Sequence, residues 1–395
     1  MPSQTGGGGV TGDELPIGRR VARWRVRRQM TQQMLADRLR RSKSWVDKVE
    51  RGVRPLDRYP VIQELAQVLR IDPELLLGRH RPPATVGTLA GVDDIRAALA
   101  RYGVRQSPVQ AAEELRRQVG HAWLTYQHAH YPQLVRVLPG LLDGVQGAQI
   151  PELLVQAYRV TSSLLVKLGE ADLGWLAADR AMSAANGDRV LSATAAVSVG
   201  QALRALGRER LALAATVAAG ERLATDRQRP PREWAVCGTL LLQAALAAAG
   251  SGDGHRAEEL TERAAGIAVR LRGYDDPHRT GFGPVAVELA RVVAAVEWGD
   301  AGAAVRRHPA IVRRAGWRLL PAECRGAYLV DVARAYLEVG DLRGAARALV
   351  DADSVAPAEV RCRPSARTVI AEVARAHPPA PAGVARLATL VGLTR

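Results

Sequence analysis

The stretch Thr31-Gln32-Gln33-Met34-Leu35-Ala36-Asp37-Arg38-Leu39-Arg40-Arg41-Ser42-Lys43-Ser44-Trp45-Val46-Asp47-Lys48-Val49-Glu50-Arg51-Gly52 decides how the first part of this chain is read. Thr31 has the form of an N-cap, because its hydroxyl can accept an otherwise orphaned helix N–H. A short helix follows through Leu39. Arg40 and Arg41 break it, Ser42 caps a second helix over Lys43–Arg51, and Gly52 supplies the left-handed residue that ends it. Val46 and Val49 can face a core while Lys43, Ser44, Asp47 and Lys48 stay outside. Upstream, Ile17, Val21 and Trp24 recur at i, i+4, i+7 and predict a first helix ending near Gln29, with Arg19, Arg20, Arg23, Arg27 and Arg28 over the rest of its surface. Downstream, Val61, Ile62, Leu65, Ala66 and Leu69 predict a fourth helix. Asp72 as cap, with Pro73 at the first helical position, predicts a fifth through Leu77.

Two short helices joined by a tight turn inside a five-helix unit are a helix-turn-helix arrangement. On these residues the segment 15–78 resembles the Cro/CI (lambda-repressor-like, XRE-type) DNA-binding family. The likeness runs without gaps from Ile17-Gly18 through Thr31-Gln32, Ala36, Ser42, Val46, Val49 and Glu50-Arg51-Gly52 to Asp72-Pro73-Glu74-Leu75-Leu76. Two positions depart from it: Arg40 stands where the family's turn has Gly, and Arg41 where it has an apolar residue. A non-glycine residue in a left-handed conformation is uncommon, so a turn of different shape is expected, with these arginines within reach of phosphates. Trp45 has two readings, packing against the first helix or contact with a thymine methyl or sugar.

The resemblance implies double-stranded DNA as partner, read by the second short helix in the major groove. It assigns base contacts to Gln32, Lys43, Ser44 and Lys48, where a lysine can donate to guanine O6 and N7. It assigns backbone contacts, which set register rather than sequence, to Thr31, Gln33, Arg40, Arg41, Ser42, Arg51 and Arg54. Gln32 would bond a phosphate or brace the recognition helix as well. Asp47 either accepts from a cytosine amino group or remains a solvated charge.

The charge distribution agrees. Of 395 residues, 55 are basic and 40 acidic, for a net charge of +15. Ile17 to Arg81 alone holds 17 basic against 7 acidic residues, two thirds of that excess. A compact segment so unbalanced either binds a polyanion through counterion release or carries a solvated basic face. Only three of the basic residues are lysines, and two of them, Lys43 and Lys48, lie on the second short helix.

The remaining composition narrows the class. Apolar residues make up 47% and aromatics 4%, with a single Phe, which speaks for alanine- and leucine-rich helices and against an aromatic-paired β-fold. Met1 to Gly12 has no apolar core of a secretion signal and reads as a disordered tail over 1–14. No uninterrupted apolar run of about 18 residues stands out, so no membrane span is expected. Cys237, Cys324 and Cys362 are distant and odd in number, which fits reduced cytoplasmic thiols rather than disulfides or zinc.

Arg79-His80-Arg81-Pro82-Pro83-Ala84-Thr85-Val86-Gly87-Thr88 reads as part of a linker over 79–91. Beyond it, 92–395 is almost continuously helical in pattern and repeats. Steps at Gly169-Glu170, Gly207-Arg208, Gly252-Asp253, Gly299-Asp300 and Gly340-Asp341 each end one helix and begin another, at intervals of 38 to 47 residues. Tyr336, Gly340, Ala345, Ala352 and Pro357 fall at tetratricopeptide spacing, as do Gly200, Leu203, Gly207, Ala212 and Ala219. A further hairpin is expected around Trp123, Tyr126 and Tyr131. The whole is therefore expected to be all-α: a five-helix lambda-repressor-like domain followed by a degenerate tetratricopeptide-like α-solenoid with an extended concave face.

That face either receives a small-molecule, peptide or protein effector or only dimerises the chain. The layout resembles bacterial regulators that join such a head to a tetratricopeptide-like sensor. Some of these hold peptides through asparagines, yet this chain has only Asn186; Gln156, Gln201 and Gln243 are the nearest substitutes. No catalytic or phosphate-binding motif occurs, and His121, His128 and His130 do not share a helical face as i, i+4 ligands would. The resulting expectation is a cytoplasmic homodimeric transcription regulator without a cofactor or enzymatic activity. A second reading stands beside it: a scaffold that recruits proteins through its helical array, its DNA binding secondary.

Overall fold

The computed structural model describes residues 17–54, 56, 59–69, 71, 76, 91–101, 110–224, 230–271, 276–376 and 381–393. The expected tail, most of the fifth helix and all of the linker but Gly91 lie outside those residues. Among the described residues every regular element is helical. The chain divides into two compact units, Met1–Ala84 and Thr85–Arg395.

The first unit contains α1 (Ile17–Arg27), α2 (Gln32–Arg38), α3 (Lys43–Glu50) and α4 (Tyr59–Leu69). Val21, Leu35, Ala36, Leu39, Val46, Ile62, Leu65 and Leu69 are buried together as its core, with Ile17, Trp24 and Trp45 packed on the edges. Helix α1 ends two residues earlier than expected, and Gln29 turns the chain with φ +51°. Gly18 is required by proximity: a Cβ there would lie 2.0 Å from the carbonyl oxygen of Val49, so α1 crosses the end of α3 at backbone contact. Two arginines assigned to the surface of α1 are internal braces instead. Arg28 Nε donates to the Leu69 carbonyl at the end of α4, and Arg20 Nε to that of Leu76. Part of the basic excess therefore satisfies helix ends.

The second unit opens with α5 (Val92–Ala100) and continues as six helical hairpins. They are α6 (Ala112–Gln127) with α7 (Tyr131–Ala148), α8 (Pro151–Lys167) with α9 (Ala171–Ala184), and α10 (Arg189–Ala205) with α11 (Glu209–Ala224). Next come α12 (Pro231–Ser251) with α13 (Gly254–Arg270), α14 (Pro284–Trp298) with α15 (Ala301–Val312), and α16 (Ala322–Glu338) with α17 (Leu342–Val355). Three short helices close the unit: α18 (Pro357–Arg361), α19 (Pro364–Ala376) and α20 (Ala382–Leu390).

Each hairpin turns on one left-handed residue. Gly169, Gly207, Gly252, Gly299 and Gly340 have φ between +72° and +96°, a region glycine enters without steric penalty. The acid after the glycine then caps the next helix: Asp253, Asp300 and Asp341 accept from the N–H of Arg256, Ala303 and Gly344 at 2.8–2.9 Å. The first hairpin turns on Ala129 at φ +57°. Within hairpins the helices approach closely through small residues. A Cβ on Gly200 would sit 2.5 Å from the Thr216 methyl, and one on Gly344 2.4 Å from the Tyr336 ring.

Two features depart from the sequence reading. The C-terminal helices of the array pack back on its first hairpins. Ala356 and Ala358 share a core with Tyr131, Leu164 and Leu165. Lys167 Nζ lies 2.6 Å from Glu359 and 3.1 Å from Glu323, the Tyr131 hydroxyl donates to Glu359, and Arg363 stands 3.7 Å from Asp331. Second, α12 carries an uncharged 18-residue window of mean hydropathy 1.4, long and apolar enough to cross a membrane by composition. The window is 72% buried against neighbouring helices, as a core helix is.

Candidate nucleic-acid interface

The interface begins with the caps. Thr31 Oγ1 accepts from the Met34 N–H and Ser42 Oγ from the Trp45 N–H, both at 3.1 Å, so each short helix starts where the sequence places it. Between them Arg40 adopts φ +52° while the Arg41 N–H reaches back to the Ala36 carbonyl at 2.9 Å. The expectation of an altered turn is thus corrected: Arg40 takes the left-handed conformation that a glycine would take, and the reach-back bond closes the turn.

Helix α3 divides sharply. Val46 and Val49 are buried, whereas Lys43, Ser44 and Lys48 are exposed on the opposite side. Trp45 follows the packing reading. It is half-buried against the core, and its ring lies 5.7 Å from the Arg41 guanidinium and 6.0 Å from that of Arg54, within cation–π range. Arg54 is brought there because its N–H bonds the Lys48 carbonyl after the Gly52 turn. Asp47 is paired with Arg51 at 2.5 Å, and the Gln33 amide donates to Asp37 at 2.7 Å. The acidic groups of this surface are thereby engaged locally, while Arg40, Arg41, Lys43 and Lys48 remain exposed cations.

What orients α3 is a buried carboxylate. Glu50, 5% exposed, accepts from Arg25 Nε at 2.6 Å, Arg25 Nη2 at 3.0 Å and Gln32 Nε2 at 2.9 Å. Arg25 also donates to the Met30 carbonyl at 2.8 Å. One side chain from each of α1, α2 and α3 therefore meets at a bidentate, charge-assisted centre. Gln32 takes the bracing role, with its second amide hydrogen and Oε1 left for another partner. The sequence reading passed over Arg25 and gave Glu50 no role. The available signal was opposite charges on two apolar stripes, Arg25 at i+4 from Val21 and Glu50 at i+4 from Val46.

The other singled-out residues lie in the second unit. His121, His128 and His130 are exposed, and no metal-binding cluster occurs among the described residues. Gln156, Gln201 and Gln243 lie on the first helices of three successive hairpins. Gln156 accepts from Arg159 at 3.2 Å, and Gln243 from Arg204 at 3.4 Å. Arg159 is the more unusual group. It is buried, stacks over Trp123 at 5.3 Å, donates to the His278 carbonyl at 2.9 Å, and has no carboxylate within 4 Å among the described residues. Burial pulls its pKa down to about 10.

Residues 16–77 match the family described as helix-turn-helix domain. Among solved structures, the chain is similar to Bacillus thuringiensis PlcR in complex with the peptide PapR7 and DNA. That match has 13% identity and a TM-score of 0.37, covering 75% of this chain and 94% of that one. No curated protein matches the chain. The domain match and the capped helix pair define a helix-turn-helix domain over residues 16–77, followed by a helical C-terminal region.

Proposed function

We propose that this chain is a cytoplasmic, sequence-specific transcription regulator of the Cro/CI type, without enzymatic activity, that reads DNA through α3. In this reading Lys43, Ser44 and Lys48 meet base edges in the major groove, joined by the remaining amide functions of Gln32. Thr31, Gln33, Arg40, Arg41, Ser42, Arg51 and Arg54 line the flanking strands and fix register on the phosphates. The observation that carries the reading is the division of α3: two amines and a hydroxyl stand in solvent, while the opposite side is anchored by Val46, Val49 and the Glu50 centre. Such an anchored edge is held at a fixed angle and loses little entropy on binding.

The chain acts as a homodimer on two half-sites, and the helical array supplies dimerisation and receives an effector. An effector must bind two states of the array with different affinity to change DNA occupancy. Selection of bound sequences from random DNA, followed by footprinting, tests the reading. The expected result is one enriched motif with two protected half-sites separated by a whole number of helical turns of about 10–10.5 base pairs. Uniform protection without an enriched motif would contradict it.

A further inference from the structure

Helices α11 and α13 both pack on α12 but not closely on each other, and over the N-terminal half of α12 they leave a hollow of about 530 Å³. That volume falls within the range of about 300–1,000 Å³ typical of small-molecule sites. Its floor is the apolar face of α12, Cys237, Leu240, Leu241 and Ala244, at the spacing of one helical stripe. Val217 on one wall and Leu260 and Ile267 on the other continue the apolar lining.

Two glycines flank this hollow without a structural need. A Cβ on Gly220 of α11 or Gly266 of α13 would meet nothing within 4 Å, and neither has a positive φ. Elsewhere in the array helical glycines such as Gly174, Gly200, Gly238 and Gly344 are explained by a neighbour that a Cβ would strike. Gly140 and Gly147 of α7 also face open space, whereas Gly220 and Gly266 both line this hollow. A helical glycine is destabilising relative to alanine, so an unfilled pair is a penalty that a guest between them would explain.

The lip is cationic. Arg263 and Arg270 stand two turns apart on the same face of α13, opposite one carboxylate, Glu221. The sole ion-pair contact of Arg263 among the described residues is Glu259 at 4.0 Å, and Glu259 is held closer by Arg256 at 2.6 Å. Arg270 has no ion-pair partner among the described residues. Guanidinium groups so placed can take a carboxylate in a forked pair.

We infer that the hollow between α11, α12 and α13 binds a small apolar carboxylic acid, its body on the α12 floor and its carboxylate between Arg263 and Arg270. This deepens the effector role proposed for the array and rests on it only for the consequence at DNA. The full-length chain is titrated calorimetrically with decanoate, indole-3-acetate and the neutral decanol. Gly266→Leu adds an apolar side chain to the lining at a position where a Cβ meets nothing within 4 Å, and Arg263→Gln/Arg270→Gln removes the charge at two exposed positions; circular dichroism checks that both fold.

The expected result is saturable binding of at least one acid, lost in Gly266→Leu and weakened about tenfold in the arginine variant and for the alcohol. Binding of neither acid, binding unchanged in Gly266→Leu, or equal affinity for decanoate and decanol with no effect of the arginines would overturn the site. A footprint repeated with the bound acid separates the two claims. An acid that binds without altering DNA occupancy sinks its role as effector and leaves the site; specific DNA binding without acid binding does the reverse.

Discussion

Glu50 lies among apolar neighbours and still carries three hydrogen bonds from two other helices. Breaking a buried ion pair by removing one partner leaves the other uncompensated, at a penalty of about 3–5 kcal/mol. Glu50→Ala is therefore expected to lower the opening free energy of α1–α3 by roughly that amount, read by hydrogen exchange of the full chain resolved by segment. An exchange pattern equal to wild type would show that the centre does not hold the helices. Arg40 offers a contrasting test, because its left-handed strain and the flexibility of glycine nearly offset each other. Arg40→Gly should change stability by less than about 1 kcal/mol. If Arg40 contacts a phosphate, the salt dependence of DNA affinity should fall by about one unit of slope.

At the scale of single elements, the hairpin turns were legible because two local demands coincide. A left-handed residue asks for glycine, and the next helix asks for a capping acid, so Gly252-Asp253, Gly299-Asp300 and Gly340-Asp341 announce themselves. The first hairpin was found only through its aromatic residues, since Ala129 gives no such signal for its φ of +57°. The same physics predicts opposite outcomes at the two sites. Gly252→Ala, where the added Cβ meets nothing, should destabilise by about 1–2 kcal/mol through backbone strain alone. Ala129→Gly should be neutral or slightly stabilising, and thermal denaturation separates the two. In the first unit the caps Thr31 and Ser42 were legible for the same reason. Most of the fifth helix from Asp72 lies outside the described residues, and the Glu50 centre was missed because it joins residues 18 and 25 positions apart.

Across the second unit as a whole, the closure of the array was invisible in the sequence. Tyr131 and Glu359 are separated by 228 residues, and no periodic pattern links them. Its pH dependence follows from the pair at its centre. Burial pushes the Glu359 carboxyl up, but Lys167 and Arg363 outweigh that and hold it below the ordinary carboxylate range. Burial pulls Lys167 down, but Glu359 and Glu323 outweigh that and hold it above the ordinary lysine range. A lowered carboxylate stabilises the fold above its unfolded pKa and stops doing so as pH falls through the folded value. A raised lysine stabilises below its unfolded pKa and stops doing so as pH rises through the folded value. The closure should therefore be most stable between the reference values of 4.5 and 10.5. Lys167→Met removes the nearer of the two cations that hold Glu359, so its melting temperature should fall most near neutrality and approach wild type in acid, where Glu359 protonates. A deficit independent of pH would contradict the assignment.

The proposed function turns on the exposed side of α3. The most direct measurement compares affinity for the selected motif with affinity for random DNA of equal length, in wild type and in Lys43→Ala/Lys48→Ala. Base-reading lysines predict that the ratio collapses toward one in the variant, while the salt slope, set by the arginines on the phosphates, changes little. An unchanged ratio in a folded variant would mean that sequence is read elsewhere, and the account would be wrong.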